Sequence, residues 1–246
     1  MGRKKSRAAA ASAAAPTAWL TTSARTTQQL PAHAPILPPG AEDATSFGAP
    51  LEAQVATLAD DREGAAVIAA RPALTPAEVD AWIAWGERTG FEPQKLARTA
   101  WSAHRDNGRL AIESETVAAA IFQRLRPLLP VELDGRRPTG CNPNIRLYKY
   151  VADQRFGRHV DQACVLADGS ATEYTVLFHL CDVAAAAGGA TVFYSTHGDS
   201  APALVSVQPE KGAVLLHAHG RRCLTHEGAA VRSGVKYLLR TDVAYA

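Results

Sequence analysis

The sequence of 246 residues lacks several features that would assign it to a familiar class of protein. Its four cysteines are separated by 23, 17 and 42 residues, so it has no CxxC pair of the kind used by zinc ribbons and redox motifs. This spacing predicts reduced core thiols in a reducing, intracellular compartment. No window of about 18 apolar residues is free of charge, which excludes a membrane-spanning helix. We also find no internal repeat.

A basic excess is absent outside the first 50 residues. Residues 51–246 contain 21 Lys and Arg against 22 Asp and Glu, so the formal net charge of +2 comes from the N-terminal segment. A domain that binds nucleic acid normally carries a basic excess, because neutralisation of phosphates supplies most of its affinity. The charge balance therefore argues against a nucleic-acid partner.

Residues 1–50 are rich in Ala, Ser, Thr and Pro and contain no acidic residue before Glu42. Such a segment buries too little apolar surface to order itself, which predicts a disordered or targeting tail. An organelle transit peptide and a basic nuclear or membrane-surface arm on Arg3–Arg7 remain open alternatives. Met1-Gly2 followed by Ser6 also fits a myristoylation pattern. Cytoplasm or nucleus is favoured, with organelle import as the alternative.

Residues 51–139 are predicted to form a helical support region. A short apolar strand at 65–70 precedes Thr75-Pro76-Ala77-Glu78, which combines an N-cap, a proline at the first helical position and a capping-box glutamate. The first helix should end at Gly90, and a second should cover 114–129. The polar residues 104–109 between them are predicted to form a turn.

The hydrophobic period changes after Gly140 from nearly four residues to two, which indicates strands. Eight short strands are predicted in residues 140–246, at 144–150, 158–165, 173–181, 190–195, 203–207, 213–218, 222–226 and 235–243. Helices followed by many short strands predict an α+β chain whose β part closes as a sandwich or jelly roll.

One group of polar residues within these strands has the composition of a metal site. His159 and Asp161 are two residues apart, so on an extended strand both side chains project from the same face. His226, near the end of a later strand, supplies a third ligand. Two histidines and one carboxylate on one side of a metal suit non-haem Fe(II) that activates dioxygen. A turn at Ser233-Gly234 would aim Lys236 into the same cavity, where it could pair with a co-substrate carboxylate.

These residues resemble the 2-oxoglutarate- and Fe(II)-dependent dioxygenases, in particular the prolyl 4-hydroxylase-like catalytic domain. The likeness covers residues 140–246. Tyr148–Tyr150 followed by Phe156–Asp161 is similar to the tyrosine strand and HxD motif of that family. Gly188–Phe193 is similar to its GGxTxF strand, and His226 with Lys236 ten residues later matches its distal histidine and basic anchor.

The resemblance implies a double-stranded β-helix with N-terminal supporting helices. It implies His159, Asp161 and His226 as iron ligands and Lys236 as partner of the distal carboxylate of 2-oxoglutarate. It also implies Fe(II), 2-oxoglutarate and dioxygen as cofactor and co-substrates, with ascorbate as a further reductant. The residues expected to contact the co-substrate are Lys236, Tyr150, Tyr148 and His179, of which His179 occupies a strand position that is often aromatic in the family. Ala152-Asp153 stands where relatives often carry a glycine turn.

Several alternatives stay open at this point. His217 and His219 compete with His226 for the distal ligand position, and Arg232 competes with Lys236 for the anchor. A second HxD sequence at His197–Asp199 contains glycine and is typical of a loop.

Arg240 lies four residues beyond Lys236 on the same strand face, so it is expected at the cavity mouth in contact with substrate, with a surface ion pair as the alternative. Asn107 is expected to line the same mouth. The resemblance implies hydroxylation of a carbon centre with release of succinate and CO2, a protein prolyl residue being the first substrate considered. A catalytically inactive jelly-roll binding module and a nucleic-acid oxidative demethylase are the alternatives.

Overall fold

The computed structural model describes residues 25–31, 34–41, 50–59, 67–99, 102–195 and 201–246. Within these ranges it contains helices α1 (Pro76–Thr89) and α2 (Glu115–Leu125). The first six strands are β1 (Arg25–Leu30), β2 (Leu51–Ala59), β3 (Val67–Arg71), β4 (Glu92–Leu96), β5 (Arg105–Glu113) and β6 (Pro138–Cys141). The remaining strands are β7 (Asn144–Tyr150), β8 (Phe156–His159), β9 (Ala171–His179), β10 (Thr191–Tyr194), β11 (Ala203–Val207), β12 (Val214–Ala218), β13 (His226–Gly228) and β14 (Lys236–Tyr245). Neither described helix is long and apolar enough to cross a bilayer.

The strands follow one antiparallel hydrogen-bonded path that folds back on itself. Its larger part runs in the order β1-β2-β3-β12-β9-β14-β7-β5, and its smaller part in the order β8-β13-β10-β11. A single residue pair, Arg105 with Phe156, links the two parts. Phe193 of the smaller part packs in one apolar cluster with Leu177 and Leu215 of the larger part. The two sheets therefore face each other as in a jelly roll, which confirms the predicted fold class.

The first predicted helix is present with the expected ends. Thr75 caps α1 through a complete capping box with Glu78, and Gly90 ends it at a φ of 87°. Trp82 is fully buried on the inner face of α1, and its indole N–H donates to the carbonyl oxygen of Ile36 at 2.9 Å. Glu78 is also buried and pairs with Arg124 of α2 at 2.8 Å. A buried charge needs such a partner to offset its desolvation. The ion pair between Glu78 and Arg124 thus links α1 to α2 beside the larger sheet.

The N-terminal half contains more strand than the sequence predicted. Residues 51–139 include β2, β3, β4 and β5 as well as both helices, and α2 ends at Leu125, before the predicted residue 129. The predicted turn at 104–109 is wrong, because residues 105–109 belong to β5 and pair with β4. Residues 105–109 are four polar residues and Gly108, so they lack the alternation of apolar and polar side chains that indicates a strand. Only their pairing with neighbouring strands shows that they belong to β5.

Part of the segment expected to be a tail belongs to the fold. β1 pairs with β2 over six residues, and Leu30 and Ile36 are fully buried. Residues 1–24 lie outside the described part of the chain, so the prediction for them stays a prediction. All four cysteines are free, as expected, but Cys164 is exposed and is not a core thiol.

Candidate active site

Two strands of the smaller sheet bring two histidines side by side. β8 and β13 pair antiparallel, with His159 directly opposite His226 in the register. Their ring centroids lie 4.2 Å apart. The ring of Phe156 stacks on His159 at 3.6 Å. Nδ1 of His159 lies 2.8 Å from the carbonyl oxygen of Gly157, and Nδ1 of His226 lies 2.9 Å from that of Leu224. These hydrogen bonds fix both rings with Nε2 directed towards the space between the sheets.

Asp161 completes the group of three. One carboxylate oxygen lies 3.5 Å from Nε2 of His159. The other lies 3.8 Å from Nε2 of His226. Two donors of one metal ion, each about 2.1 Å from it, lie roughly 3 to 4 Å apart. The side chain of Asp161 is buried, and its backbone N–H donates to the sulfur of Cys223 at 3.3 Å. The described geometry therefore fits a divalent metal without rearrangement of the ligand side chains.

The charge states of Asp161 and His226 suit metal binding. Desolvation alone would raise the pKa of Asp161, but Arg240, followed by His159 and His226, outweighs it and holds the pKa well below its usual range. Desolvation, together with the neighbouring imidazoles, lowers the pKa of His226 well below its usual range. A carboxylate and a neutral imidazole are the forms that bind metals. Asp161 and His226 are thus in their metal-binding protonation states at neutral pH.

Lys236 begins β14 and is buried, with 2% of its surface exposed. Its Nζ donates to the carbonyl oxygen of Gly189 at 2.6 Å, and among the described residues no carboxylate lies within ion-pairing distance of it. Desolvation lowers its pKa to about 8. Gly188, beside the acceptor, has a φ of 77° and leaves no room for a Cβ, which would lie 2.2 Å from the carbonyl oxygen of Ala230. Because no carboxylate lies near Lys236 among the described residues, the buried ammonium lacks the anionic partner that would offset its desolvation.

One cavity connects the three predicted metal ligands with Lys236. Its lining comes from both sheets and comprises Arg105, Tyr148, Tyr150, Phe156, His159, Asp161, Leu177, Thr191, His217, His226, Gly228, Lys236, Leu238 and Arg240. Tyr150 is the cross-strand partner of Lys236, whose Nζ lies 5.7 Å from the Tyr150 ring. Tyr148 is one step further along the same face, opposite Leu238. Both tyrosines thus line the cavity, with Tyr150 beside the ammonium group.

Arg240 also lines the cavity, but it does not lie at the mouth, where the sequence placed it. Its side chain is 13% exposed, and its Nη2 lies 3.0 Å from Asp161 and 3.4 Å from Asp242. Asp242 also pairs with Arg146. The proposed surface ion pair is wrong as well, because the pair that Arg240 forms is buried. Arg240 therefore acts on the predicted metal ligand, and nothing in its surroundings indicates contact with substrate.

We expect Arg240→Met to weaken metal binding by about tenfold to hundredfold, the usual cost of losing a group that orients a metal ligand. Without the guanidinium, the pKa of Asp161 should rise, so the loss should be larger at pH 5.5 than at pH 7.5. Metal titration at the two pH values measures this difference. An equal, small effect at both values would contradict the role assigned to Arg240.

Two predicted site residues do not reach the cavity. Asn107 is fully buried in β5, where its amide donates to the carbonyl oxygen of Gly108 at 2.8 Å and accepts from Nε of Arg105 at 3.1 Å. His179 is buried at the end of β9, and neither ring nitrogen has a hydrogen-bond partner among the described residues. Its role towards the co-substrate stays a prediction. The sequence analysis missed Arg105, whose guanidinium lies 4.7 Å from the rings of Tyr148 and Phe156.

The rival residues take distinct places. His219 is buried and bonded to the hydroxyls of Thr172 and Thr175 at 2.9 and 3.1 Å, so both of its ring nitrogens are occupied. His217 lines the cavity together with His226. Arg232 is not among the lining residues. The second HxD sequence, at His197–Asp199, lies outside the described residues.

Comparison with solved structures identifies the architecture. The viral collagen prolyl hydroxylase of Paramecium bursaria Chlorella virus-1, solved as a 2OG complex, has a TM-score of 0.51 at 15% identity over 72% of this chain and 95% of that chain. A prolyl-4-hydroxylase of Pseudomonas putida gives 0.48 at 16% identity over 72% and 91% of the two chains. No protein-family model and no curated protein matches the sequence. The superposition on the viral enzyme confirms the predicted resemblance at the level of the fold: this chain has a double-stranded β-helix like that of the viral collagen prolyl hydroxylase.

Proposed function

We propose that this protein is a 2-oxoglutarate- and Fe(II)-dependent dioxygenase that hydroxylates a carbon centre. The observation that carries the proposal is the cavity in which His159, Asp161 and His226 converge. The buried ammonium of Lys236, which has no carboxylate partner in the described part of the chain, faces the same space. Two imidazoles and one carboxylate leave three positions of a six-coordinate iron open. The unpaired ammonium suits a co-substrate that carries a second carboxylate.

The polar residues at the centre of the cavity, together with Thr175 behind them, have defined tasks in this proposal. His159, Asp161 and His226 hold Fe(II), and Arg240 and Thr175 orient Asp161 through its second oxygen at 3.0 and 2.7 Å. Lys236 binds the distal carboxylate of 2-oxoglutarate, and Tyr150 beside it offers a hydroxyl to the same group. Desolvation raises the pKa of Tyr150 to about 12, so its hydroxyl keeps its proton and can donate a hydrogen bond. The iron and 2-oxoglutarate together supply the oxidising chemistry.

The direct test is co-substrate turnover by the purified protein. With Fe(II), 2-oxoglutarate and ascorbate, we expect slow release of succinate in the absence of any other substrate, and none when the metal is removed by a chelator. Iron-dependent binding of 2-oxoglutarate should accompany this activity. Neither binding nor succinate would favour the alternative, an inactive jelly-roll binding module.

The substrate that we propose is a prolyl residue within a peptide. An open groove of about 340 Å³ adjoins the predicted metal ligands and shares Gly228 with the cavity that they line. Three arginines and His104 line this groove, and Glu227 is its acidic member. The viral enzyme of the same fold is a collagen prolyl hydroxylase by name. Proline-containing peptides with acidic or basic flanks, assayed for mass gain of one oxygen atom, would test the proposal, and the acidic set should be preferred.

Binding of 2-oxoglutarate should depend on pH through Lys236, whose pKa of about 8 is below the ordinary value for lysine. Below this pH the ammonium is charged and can pair with the carboxylate. Above it the proton is lost, so the dissociation constant should rise by about tenfold per pH unit. Calorimetric titration of the Mn(II)-loaded protein between pH 6.5 and 9.5 measures the rise. The Lys236→Arg variant, whose guanidinium stays charged, should show none; the same rise in that variant would point to another group.

A further inference from the structure

A third imidazole points into the metal cavity from the opposite sheet. His217 lies on β12 and has 1% of its surface exposed. Among the described residues, its Nε2 atom has no hydrogen-bond partner. An unsatisfied polar atom in the interior is costly, so native structures seldom keep one without a use. This atom is therefore free to bind a ligand that the described residues do not provide.

The hydrogen bonds of His217 indicate which nitrogen is available. Its Nδ1 lies 3.3 Å from the carbonyl oxygen of Ala218. A carbonyl oxygen only accepts, so Nδ1 carries the proton and Nε2 of the neutral ring carries a lone pair. His159 and His226 have the same arrangement, with Nδ1 on a backbone carbonyl oxygen. All three imidazoles are thus in the tautomer that metal-binding histidines use.

The distances around Asp161 place His217 in reach of the same ion. Its Nε2 lies 3.8 Å from the carboxylate oxygen of Asp161 that is also 3.8 Å from Nε2 of His226. The His217 and His226 rings are 4.4 Å apart between centroids. Such separations suit two donors of one ion. They are too long for a hydrogen bond between His217 and Asp161, whose oxygen already accepts from Thr175 and lies beside Arg240.

Cys223 is the other donor near His217, since its sulfur groups with His217 and His226 within 4.8 Å. Its thiol donates to the carbonyl oxygen of Leu224 at 3.4 Å, and its sulfur accepts the backbone N–H of Asp161. Both functions are therefore occupied by the protein. His217 is the group with a donor atom to spare.

We propose that His217 is a displaceable fourth protein ligand of the metal, bound through Nε2 until 2-oxoglutarate takes its coordination position. This inference rests on the proposed function, because it needs a metal at His159, Asp161 and His226. Three protein ligands leave the three positions that a bidentate co-substrate and dioxygen require, whereas four leave two. The His217–metal bond must therefore break as a bond from the metal to a co-substrate oxygen forms. The exchange transfers no electron.

The test compares His217→Phe with wild type in metal binding without 2-oxoglutarate. We expect the affinity for Co(II) to fall by about tenfold or more, which removal of one imidazole ligand should cost at the least. Tyr245→Phe is the control, since it also alters a buried polar side chain of the larger sheet but one that does not line the cavity and donates to the carbonyl oxygen of Pro130, and it should keep the wild-type affinity. The thermal midpoints of the apo forms show whether either variant is damaged.

Reciprocity gives a second, opposite readout. If His217 must leave before 2-oxoglutarate binds, the metal-loaded His217→Phe protein should bind 2-oxoglutarate more tightly than wild type, by the factor lost in metal affinity. A merely structural role would weaken both. Electron paramagnetic resonance of the Cu(II)-loaded proteins should show one coordinated nitrogen fewer in His217→Phe than in wild type.

The outcomes separate this inference from the function on which it rests. Equal metal affinity and equal nitrogen coordination in wild type and His217→Phe would overturn the fourth ligand and leave the proposed function standing. Failure of the wild-type protein to bind any divalent metal, with intact fold, would overturn both.

Discussion

Asp161→Asn is expected to abolish divalent-metal binding and succinate release while the fold is retained. Asparagine has nearly the shape of aspartate, but its neutral amide is a poor ligand for a divalent ion. The loss should exceed the roughly hundredfold cost of removing a group that only orients a ligand. Thr175 can still donate to the amide oxygen, and Arg240 keeps Asp242 as a partner. Titration with Co(II) and an assay for succinate measure the two losses.

The control for this variant is Asp168→Asn. Asp168 is an exposed carboxylate that accepts hydrogen bonds from Ser170 in the turn before β9, and it does not line the cavity of the candidate site. Its replacement should leave metal affinity unchanged. If Asp161→Asn bound Co(II) like wild type, the carboxylate would not be a ligand, and the proposed oxygenase would lose its metal centre. Circular dichroism and the thermal midpoint establish that the protein compared is folded.

Part of the candidate site was predictable from the sequence because the nearness of His159 and Asp161 is local. His159 ends β8 and Asp161 lies two residues further, just beyond the strand, whereas His226 reaches them through the pairing of β13 with β8. The strands at 144–150 and 203–207 were predicted with the bounds that the structure has, since the first alternates apolar and polar side chains and the second is a short apolar run with two valines. In these segments the local pattern and the final environment agree.

The positions of Arg240, Arg105 and His217 relative to the predicted metal ligands depend on contacts between strands that are distant in the sequence. The ion pair of Arg240 with Asp161 joins β14 to the loop after β8. The distance between its two charged groups depends on the register of several strands. No local pattern predicts such a register. Arg105 was assigned to a turn for the same reason, because β4 and β5 gain their stability from pairing with each other and carry little apolar alternation. His217 was considered only as a rival to His226, although the facing sheets place both in one cavity.

These examples show that the two sheets contribute different side chains to the cavity. The smaller sheet supplies His159 and His226, whose spacing along the chain is visible in the sequence. The larger sheet supplies Lys236, Arg240 and His217, all directed towards the same cavity. Closure of the jelly roll therefore places cationic and neutral groups of the larger sheet around the ligands of the smaller one. A substitution in the larger sheet can change metal or co-substrate affinity without touching a predicted ligand of the metal.

Among single changes in the cavity, Lys236→Met should show the largest difference between its effect on 2-oxoglutarate binding and its effect on the stability of the apo protein. Methionine is close to lysine in length and removes only the buried ammonium, which has no carboxylate partner among the described residues. Truncating one partner of a buried charge pair costs about 2 to 5 kcal/mol, so affinity for 2-oxoglutarate should fall by about thirtyfold to several thousandfold. The apo protein should be as stable as wild type or more stable, because the desolvation cost of the ammonium disappears with the charge. Calorimetric titration with 2-oxoglutarate and urea unfolding of the metal-free protein give the two quantities.

Arg232→Met is the matched control, because Arg232 was the other basic residue considered as the anchor and does not line the cavity. It should bind 2-oxoglutarate like wild type. A large loss of affinity in Arg232→Met, with none in Lys236→Met, would transfer the anchor role to Arg232. A marked loss of stability in Lys236→Met would show that the ammonium serves the fold through its bond to Gly189. If stability is kept and affinity is lost, the charge is held in the interior at a cost to folding, and the bound dicarboxylate is what offsets that cost.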